Sequence, residues 1–380
     1  MIRTCHVVSS VSRWPVRGVG WLAIAFVAGL GCGDDSRQVG WVGAPLGEVT
    51  SVASALEQPA IAVDADGRPV VAYVDDHAAL LVKKWNGSTW VQLGEALNDN
   101  GSVASSPAVT LDAGALAVAW EEAVSTDSIV RVARFDGTAW RRLGTQISPA
   151  TSVAHGPRIA SGTQGLVVAY YGGLDREAVV SLWSGSTWQD WPRLPSQNAG
   201  TVDLALLADG SPAVTWIYSN WQGSIVQNEA STRYWNTAAG GWGSLPSIGL
   251  QASASAFLAS DSDGALFLAV HDASTSSQPI RRAIPGASDW QTVGLPDVPL
   301  RSEGPLVALP GTGVAVAFSG DSSWGVARYT GSLWEVVATV GGQPCSIAGG
   351  QDGTLYVSWW AGLPNETFSA PVQVASFRRP

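Results

Sequence analysis

A sequence unit of about 50 residues recurs along most of the chain and constrains the fold more than any other feature. Its second half is a hydrophobic run, an aromatic residue, a Gly turn and a Trp, usually followed by Leu-Gly, as in LVKKWNGSTWVQLG at 81–94. The Trp recurs at Trp90, Trp140, Trp188, Trp242, Trp290 and Trp334, at intervals of 50, 48, 54, 48 and 44 residues. Such a period is typical of propellers and other repeat arrays, in which each unit buries its faces against its neighbours.

The first half of the unit is a short apolar run, a Gly-centred turn and a second apolar run that ends in an aromatic residue, as in PAIAVDADGRPVVAY at 59–73. There are seven such openings but only six Trp endings, because the last copy stops at VQVASF, 372–377. The missing ending precedes the first copy: VGWVGAPLG at 39–47 carries Trp41 and Leu46-Gly47 at the expected spacing. We therefore expect the start of the chain to complete its last unit.

Each unit is predicted to contain four short strands, because the runs are four to eight residues long, rich in Val, Ala and aromatics, and separated by turn residues. Asp-Gly and Asn-Gly pairs suit tight hairpin turns because these residues tolerate positive φ. We expect an all-β, seven-bladed β-propeller of four-stranded blades, with the last blade closed by the N-terminal strand so that no edge is exposed. The predicted blades are 57–94, 105–144, 155–194, 201–247, 253–294, 303–338, and 343–379 with 39–47.

The N-terminus is predicted to be an export signal, to be set aside before the fold is considered. Three Arg residues precede an apolar stretch, 18–30, that is too short to span a bilayer permanently. Its ending, AGLGC at 28–32, resembles the bacterial lipobox, although Gly29 stands where that motif usually has Leu. The resemblance implies cleavage before Cys32 and acylation of that residue, and Gly33 after the Cys implies the outer membrane. The alternative is an ordinary secretory leader with a chance Cys. The predicted domains are a signal peptide (1–31), a tether (32–38) and the propeller (39–380), with the propeller facing the periplasm or the cell surface.

The lipid anchor makes a testable prediction. If Cys32 is acylated, Cys32→Ser should move the protein from the membrane fraction to the soluble fraction, because two or more acyl chains give stable membrane attachment. Fractionation and intact-mass analysis of the mature N-terminus measure this. A wild-type protein that starts elsewhere and carries no lipid would contradict the prediction.

Charge and composition exclude several classes of partner. The chain has a formal net charge of -10, and loss of 1–31, which holds three Arg and no acidic residue, makes it -13. With Lys83 and Lys84 as its only lysines and no basic stripe, it is predicted not to bind nucleic acid. Asp64 to Gly67 and Asp261 to Gly264 contain a fragment of a calcium-loop pattern without its later ligands, so we interpret them as turns. No metal site and no cofactor are predicted, and we expect a monomer.

Motifs for catalysis are absent from the sequence. There is no H-E-x-x-H, G-x-S-x-G or P-loop, and the four histidines lack metal-type spacing. The Asp box of sialidases is also missing, since Asp directly precedes Gly in these turns, and no set of converging Arg can be assigned. The sequence therefore predicts that the protein is not an enzyme.

Residues 39–380 resemble uncharacterised bacterial β-propeller repeat lipoproteins, in which D-x-D-G-x-P-V-V-A-Y is followed by an aromatic, a Gly turn and W-x-x-L-G. Locally, WSGSTWQDW at 183–191 is similar to the W-x-G-x-x-W-x-x-W of tectonin-like and seven-bladed sugar-binding propellers. The second resemblance implies a glycan ligand without naming the sugar.

A ligand face is predicted where the units differ. The connections between strands two and three of each blade, and those between blades, vary in length and composition, and loops on a rigid scaffold are where binding sites concentrate. The predicted function is a non-catalytic cell-envelope binding or scaffolding module, with a glycan or an envelope protein as partner. A lectin and a propeller hydrolase are the alternatives: similar pockets between blades would indicate the lectin, and one pocket with converging Arg, Asp and Glu the enzyme. The candidate ligand-binding residues are Asp75, Asp76, His77, Glu121, Glu122, Tyr218, Trp221, His271, Asp272, Trp324 and Trp360.

Overall fold

A computed structural model describes residues 41–54, 57–125, 127–145, 147, 153–194, 196, 198–222, 225–251, 254–272, 279–294, 300–309, 313–320, 324–340, 343–360 and 369–379. The predicted signal peptide, the tether and Cys32 lie outside these residues. The described chain forms 29 β-strands and no helix, and so contains no helix that could cross a membrane.

The strands form seven antiparallel sheets, each a blade. The described chain begins with β1 (Val42–Ser54). Blade 1 consists of β2 (Ala60–Val63), β3 (Pro69–Val74), β4 (Leu80–Trp85) and β5 (Trp90–Gln92). Blade 2 consists of β6 (Val103–Asp112), β7 (Ala115–Val124), β8 (Asp127–Phe135) and β9 (Trp140–Arg142). Blade 3 consists of β10 (Ala154–Gly162), β11 (Gly165–Gly172), β12 (Glu177–Trp183) and β13 (Trp188–Asp190).

Blade 4 has a fifth strand. It consists of β14 (Ala199–Leu206), β15 (Pro212–Gln222), β16 (Ile225–Asn236), β17 (Gly241–Ser244) and β18 (Ile248–Leu250), which also pairs with β16. Blade 5 consists of β19 (Ala254–Ser260), β20 (Leu266–Asp272), β21 (Arg281–Ala283) and β22 (Gln291–Thr292). Blade 6 consists of β23 (Leu300–Leu309), β24 (Gly313–Gly320), β25 (Trp324–Tyr329) and β26 (Trp334–Val340). Blade 7 consists of β27 (Gln343–Gly349), β28 (Leu355–Trp360), β29 (Ser369–Arg378) and β1.

The blades close into a ring, so the predicted seven-bladed propeller is confirmed. The first strands of the blades contact one another in order, from β2 through β6, β10, β14, β19 and β23 to β27, and β27 returns to β2. The N-terminal strand completes blade 7, pairing with β29 from Val42 opposite Arg378 to Ser54 opposite Ser369. This strand is longer than the predicted 39–47, because pairing resumes after a bulge at Leu46, where Gly47 has φ +80°.

The second strand of each blade lies between neighbouring blades on both faces, which explains its continuous hydrophobic run. Every residue of β3, from Pro69 to Val74, is buried, and β7 is buried from Leu116 to Trp120. Side chains of these two strands pack together in one cluster, which joins blade 1 to blade 2. A strand that is buried on both faces needs apolar residues at successive positions, and not only at alternate ones.

The six Trp residues of the repeated endings, from Trp90 to Trp334, pack between blades, and each donates a hydrogen bond to a backbone carbonyl of the preceding blade. The indole Nε1 of Trp140 donates to the carbonyl oxygen of Leu93 (2.7 Å), and that of Trp188 donates to Leu143 (2.7 Å). Gly94 follows the acceptor with φ +72°, and a Cβ there would lie 3.0 Å from Trp140 Cδ1. In these units the Leu carbonyl accepts the indole N–H of the next unit's Trp, and the Gly leaves space for its ring.

The two ends of the ring differ. The turn face holds the hairpin turns between strands one and two and between strands three and four of each blade. The loop face is the opposite end, where each first strand begins and each second strand ends. On the turn face, Asp64 Oδ1 accepts bonds from the N–H groups of Asp66 (2.9 Å) and Arg68 (2.8 Å), and Gly67 has φ +75°. The Asp-Gly pairs act here as turn formers.

Candidate active site

Three of the predicted ligand-binding residues form one exposed turn on the loop face. Asp75 Oδ1 accepts from the N–H groups of His77 (2.9 Å) and Ala79 (2.8 Å), which fixes the turn after β3. The His77 side chain is 86% exposed and lies 3.9 Å from Asp76. Asp75 is therefore occupied by its own turn, and Asp76 and His77 project into solvent.

Glu122 occupies a different environment from the predicted one. It is fully buried, and its carboxylate accepts bonds from Trp120 Nε1 (3.0 Å), Ser102 Oγ (3.0 Å) and the N–H of Asp99 (3.2 Å). Arg131 Nε lies 3.4 Å away. Glu122 thus fastens blade 2 internally and is inaccessible to a ligand.

The remaining predicted residues are dispersed around the ring. Trp324 and Trp360 are half-buried and pack against the clusters between blades 6 and 7 and between blades 7 and 1. His271 is half-buried near the end of β20, and Tyr218 lines a groove between blades 3 and 4. The side chains of Trp221 and Asp272 lie outside the described part of the structure.

Glu121, by contrast, lies in a cluster of polar side chains on the loop face. It is near the end of β7, and its side chain is 14% exposed. His155 Nδ1 of blade 3 lies 2.8 Å from Glu121 Oε1, and the N–H of Gly156 donates to Oε2 (3.2 Å). Gly156 lies in a bulge of β10 with φ +57°, which directs its N–H at the carboxylate.

A second carboxylate on the loop face, Glu57, accepts a bond from the equivalent bulge one blade earlier. It precedes β2, and its Oε2 accepts a bond from the N–H of Ser106 (2.7 Å), which lies in the matching bulge of β6 with φ +50°. Burial raises the pKa of Glu57, the Ser106 N–H opposes the rise, and the negative charge of Glu121 adds to it. The two carboxyl groups therefore interact electrostatically, and the pKa of Glu57 lies above its ordinary value.

Aromatic and cationic side chains of blade 3 extend from His155, the residue that contacts Glu121. The rings of Tyr171 and His155 are 5.3 Å apart, and the Arg176 guanidinium lies 5.1 Å from the Tyr171 ring centroid. Burial raises the pKa of Tyr171, while the charges of Arg176 and Arg158 lower it and that of Glu121 raises it further. Both guanidinium groups and the Glu121 carboxylate therefore act electrostatically on one phenol.

A second ion pair lies farther along the inner strands. Arg158 Nε is 3.3 Å from Asp203 Oδ1, and Asp203 Oδ2 accepts a bond from the N–H of Leu258 (2.8 Å). Burial raises the pKa of Asp203, and the charge of Arg158 and the Leu258 N–H oppose that rise. The pair holds Arg158 beside the cluster.

We call Glu57, Glu121, His155, Arg158, Tyr171 and Arg176 the loop-face site. Of these residues, only Glu121 was among the predicted candidates. A sequence signal for two others exists, because Glu57 and His155 both stand two residues before the Pro that opens a unit, at Pro59 and Pro157. The site joins two interacting carboxyl groups to guanidinium, imidazole and phenol donors, a combination suited to acid–base chemistry on a hydroxyl-rich substrate. No group of three metal-binding side chains occurs within the described chain.

Comparison with known proteins shows the fold. No protein-family model and no curated protein matches the chain. An α-L-arabinanase of Penicillium chrysogenum solved with arabinobiose is 13% identical, with a TM-score of 0.50 over 87% of this chain and 97% of that one. The α-L-arabinofuranosidase Arb93A of Fusarium graminearum, solved as a point mutant with an iminosugar inhibitor, is 13% identical, with a TM-score of 0.52 over 88% and 98%. U3-55K is 10% identical, with a TM-score of 0.54 over 88% and 98%.

These similarities correct one prediction. The sequence predicted a non-catalytic binding or scaffolding module, and that prediction is overturned, because the fold is shared with glycoside hydrolases. At the loop-face site Arg158, Arg176 and Glu121 all act electrostatically on Tyr171, a grouping that could not be assigned from the sequence. At 10 to 13% identity the similarity establishes the propeller alone.

Proposed function

We propose that the protein is an exported glycoside hydrolase whose catalytic carboxyl groups are Glu57 and Glu121. The observation that carries the proposal is that burial, and to a smaller extent the negative charge of Glu121, raises the pKa of Glu57, while His155 and Gly156 hold the Glu121 carboxylate. Glycoside hydrolysis commonly uses two carboxyl groups, one protonated and one charged. The leader at 1–31 and Cys32 support a location in the cell envelope.

The surroundings of each carboxyl group suggest its role. Ser106 donates to Glu57 Oε2, so the proton of the acid form resides on Oε1 and can be transferred to the leaving oxygen of the glycosidic bond. Glu121 accepts from His155 and Gly156, which orients its carboxylate as the nucleophile or the base. When the environments of two carboxyl groups push their pKa values apart, the group with the higher pKa serves as the acid and the other as the base or nucleophile.

The basic and aromatic side chains would bind the sugar. Arg158 and Arg176 are donors for hydroxyl groups, and Tyr171 supplies a ring and a phenol. The structures that share the fold include an arabinanase bound to arabinobiose, so arabinofuranosides are the first substrates to test. The local similarity of 183–191 to sugar-binding propellers also favours a carbohydrate ligand.

The raised pKa of Glu57 predicts the pH dependence of hydrolysis. The acid works only while protonated, so kcat/KM should fall as the pH rises through the raised pKa, above the ordinary glutamic acid value of 4.5. The measurement is a pH profile with 4-nitrophenyl α-L-arabinofuranoside and with linear arabino-oligosaccharides. Glu57→Gln should remove this alkaline limb. Absence of hydrolysis across a panel of neutral glycosides, or a limb that remains in Glu57→Gln, would refute the proposal.

A further inference from the structure

A groove of about 520 Å³ runs between blades 3 and 4. This volume falls within the roughly 300–1,000 Å³ of small-molecule sites. Blade 3 contributes Glu177, and blade 4 contributes Tyr218, Glu229, Ser231, Arg233 and Ser247.

The groove exists because one face of β16 is polar. Glu229, Ser231 and Arg233 alternate with the buried residues Ala230, Thr232 and Tyr234. Ala230 and Tyr234 pack into the cluster shared with blade 5, so the polar set faces blade 3. On this face of β16, polar side chains occupy the positions at which apolar side chains would pack against the neighbouring blade, and the space between the blades stays open.

Within the described part of the chain, two charged groups in the groove have no ion pair. Glu177 pairs with Arg193, but neither Glu229 nor Arg233 has an ion pair among the residues that the structure describes. Glu229 accepts a bond from Ser231 Oγ (3.2 Å). Residues four apart on one strand are roughly 13 Å apart, so the two charges lie at separate positions along the groove.

The chemistry of the groove specifies a neutral, hydroxyl-rich ligand. Arg233 can only donate hydrogen bonds and Glu229 in its charged form can only accept them, while the hydroxyls of Ser231 and Ser247 can do both. Glu229 and Arg233 are opposite in sign, so a charged ligand that is attracted at one position is repelled at the other. Tyr218 adds an aromatic ring at the Glu229 end, since the two residues are opposite each other in the sheet. Sugar units meet these requirements.

The groove begins beside the loop-face site. Glu177 directly follows Arg176, whose Nε donates to the carbonyl oxygen of Ala199 (3.2 Å). Ala199 is in turn opposite Tyr218 in the sheet. A chain bound with one unit at the loop-face site can therefore continue past Glu177 into the groove.

We propose that this groove binds further units of a neutral oligosaccharide whose reacting bond lies at the loop-face site, an inference that rests on the proposed function. A larger cleft, of about 810 Å³, lies on the turn face between blades 1 and 2. Its cations are already paired, Lys84 with Asp66 (3.2 Å), Arg134 with Asp112 (3.3 Å) and Arg141 with Asp136 (2.9 Å). Of these two clefts, the groove between blades 3 and 4 is the one whose described residues include charges without an ion pair.

The test compares binding of short and long chains without turnover. In the Glu57→Gln background, calorimetry measures the affinity for linear arabino-oligosaccharides of two and five units. We expect the longer chain to bind about tenfold more tightly, and Arg233→Ala to remove that gain without weakening the disaccharide, because one charged donor contributes about this much. Arg141→Ala, on the turn face and 70% exposed, is the matched control and should change neither affinity. Thermal melting verifies that each variant is folded, and Arg233→Lys should restore part of the gain.

The outcomes separate the groove from the catalytic proposal. Equal affinity for the two chain lengths, or an Arg233→Ala variant that keeps the gain or weakens both ligands equally, overturns the groove even if the wild type hydrolyses arabinosides. Binding that depends on length and on Arg233, in a wild type that hydrolyses nothing, upholds the groove as a saccharide site and refutes the catalytic roles of Glu57 and Glu121. A wild type that binds neither oligosaccharide overturns the inference.

Discussion

Glu121→Gln is expected to lower kcat for arabinoside hydrolysis by about 10²–10⁴-fold, the contribution typical of a positioned acid or base. The amide keeps the shape of the side chain and one oxygen for the Gly156 N–H (3.2 Å), but it removes the charge that His155 and Gly156 hold in place. Steady-state kinetics on the chosen arabinoside, with circular dichroism and thermal melting of the same preparation, measure the effect. Loss of activity with an unchanged melting temperature is the expected result.

Asp76→Asn is the matched control. It makes the same change from carboxylate to amide on the same face, at a side chain that is 40% exposed and 3.9 Å from His77. We expect wild-type kcat from it. Wild-type kcat in Glu121→Gln, or a loss that only accompanies unfolding, would instead show that Glu121 serves to fasten blade 2 to blade 3.

The propeller could be predicted from the sequence because its determinants are local and repeated. The Trp period, the Asp-Gly turns and the two apolar runs each specify part of a blade, and seven copies reinforce one interpretation. The length of β1 could not be predicted in the same way. The repeat ends at Gly47, whereas pairing continues to Ser54 because β29 offers unpaired backbone opposite those residues. That partner lies more than 300 residues away in the sequence.

The site could be predicted only in part, because blades meet according to geometry that the repeat does not encode. Glu121 and Glu122 look equivalent in the sequence, but successive strand residues point to opposite faces. One meets His155 and the other meets Trp120 in the interior, and the sequence does not say which. Glu57 and His155 occupy the same position in units 1 and 3, and only the ring shows that Glu121 stands near both.

Deleting the chain up to residue 54 is expected to prevent folding into a stable monomer. The deletion removes the partner of β29 along its whole register and the buried side chain of Val49. It also removes two backbone carbonyls of β1 that accept hydrogen bonds from side chains of blade 1. Leu46 accepts from Trp90 Nε1 (3.1 Å), and Val49 accepts from Lys83 Nζ (2.7 Å). Domains are stable by only about 5–15 kcal/mol, and β29, still paired with β28, would become an exposed edge strand that favours association.

The deletion is best compared with two milder changes, by thermal melting and size-exclusion chromatography. A chain starting at residue 39 keeps β1 and Trp41 and should melt as the longer chain does. Trp41→Ala should cost about 2–3 kcal/mol, because Trp41 is half-buried and truncation withdraws roughly half of a Trp surface from the core. Trp41 lies 5.8 Å from the guanidinium groups of Arg328 and Arg379, and these contacts would be lost as well. If the chain starting at residue 55 melts like the intact protein and stays monomeric, β1 does not hold the ring closed, and blade 7 is stable with three strands.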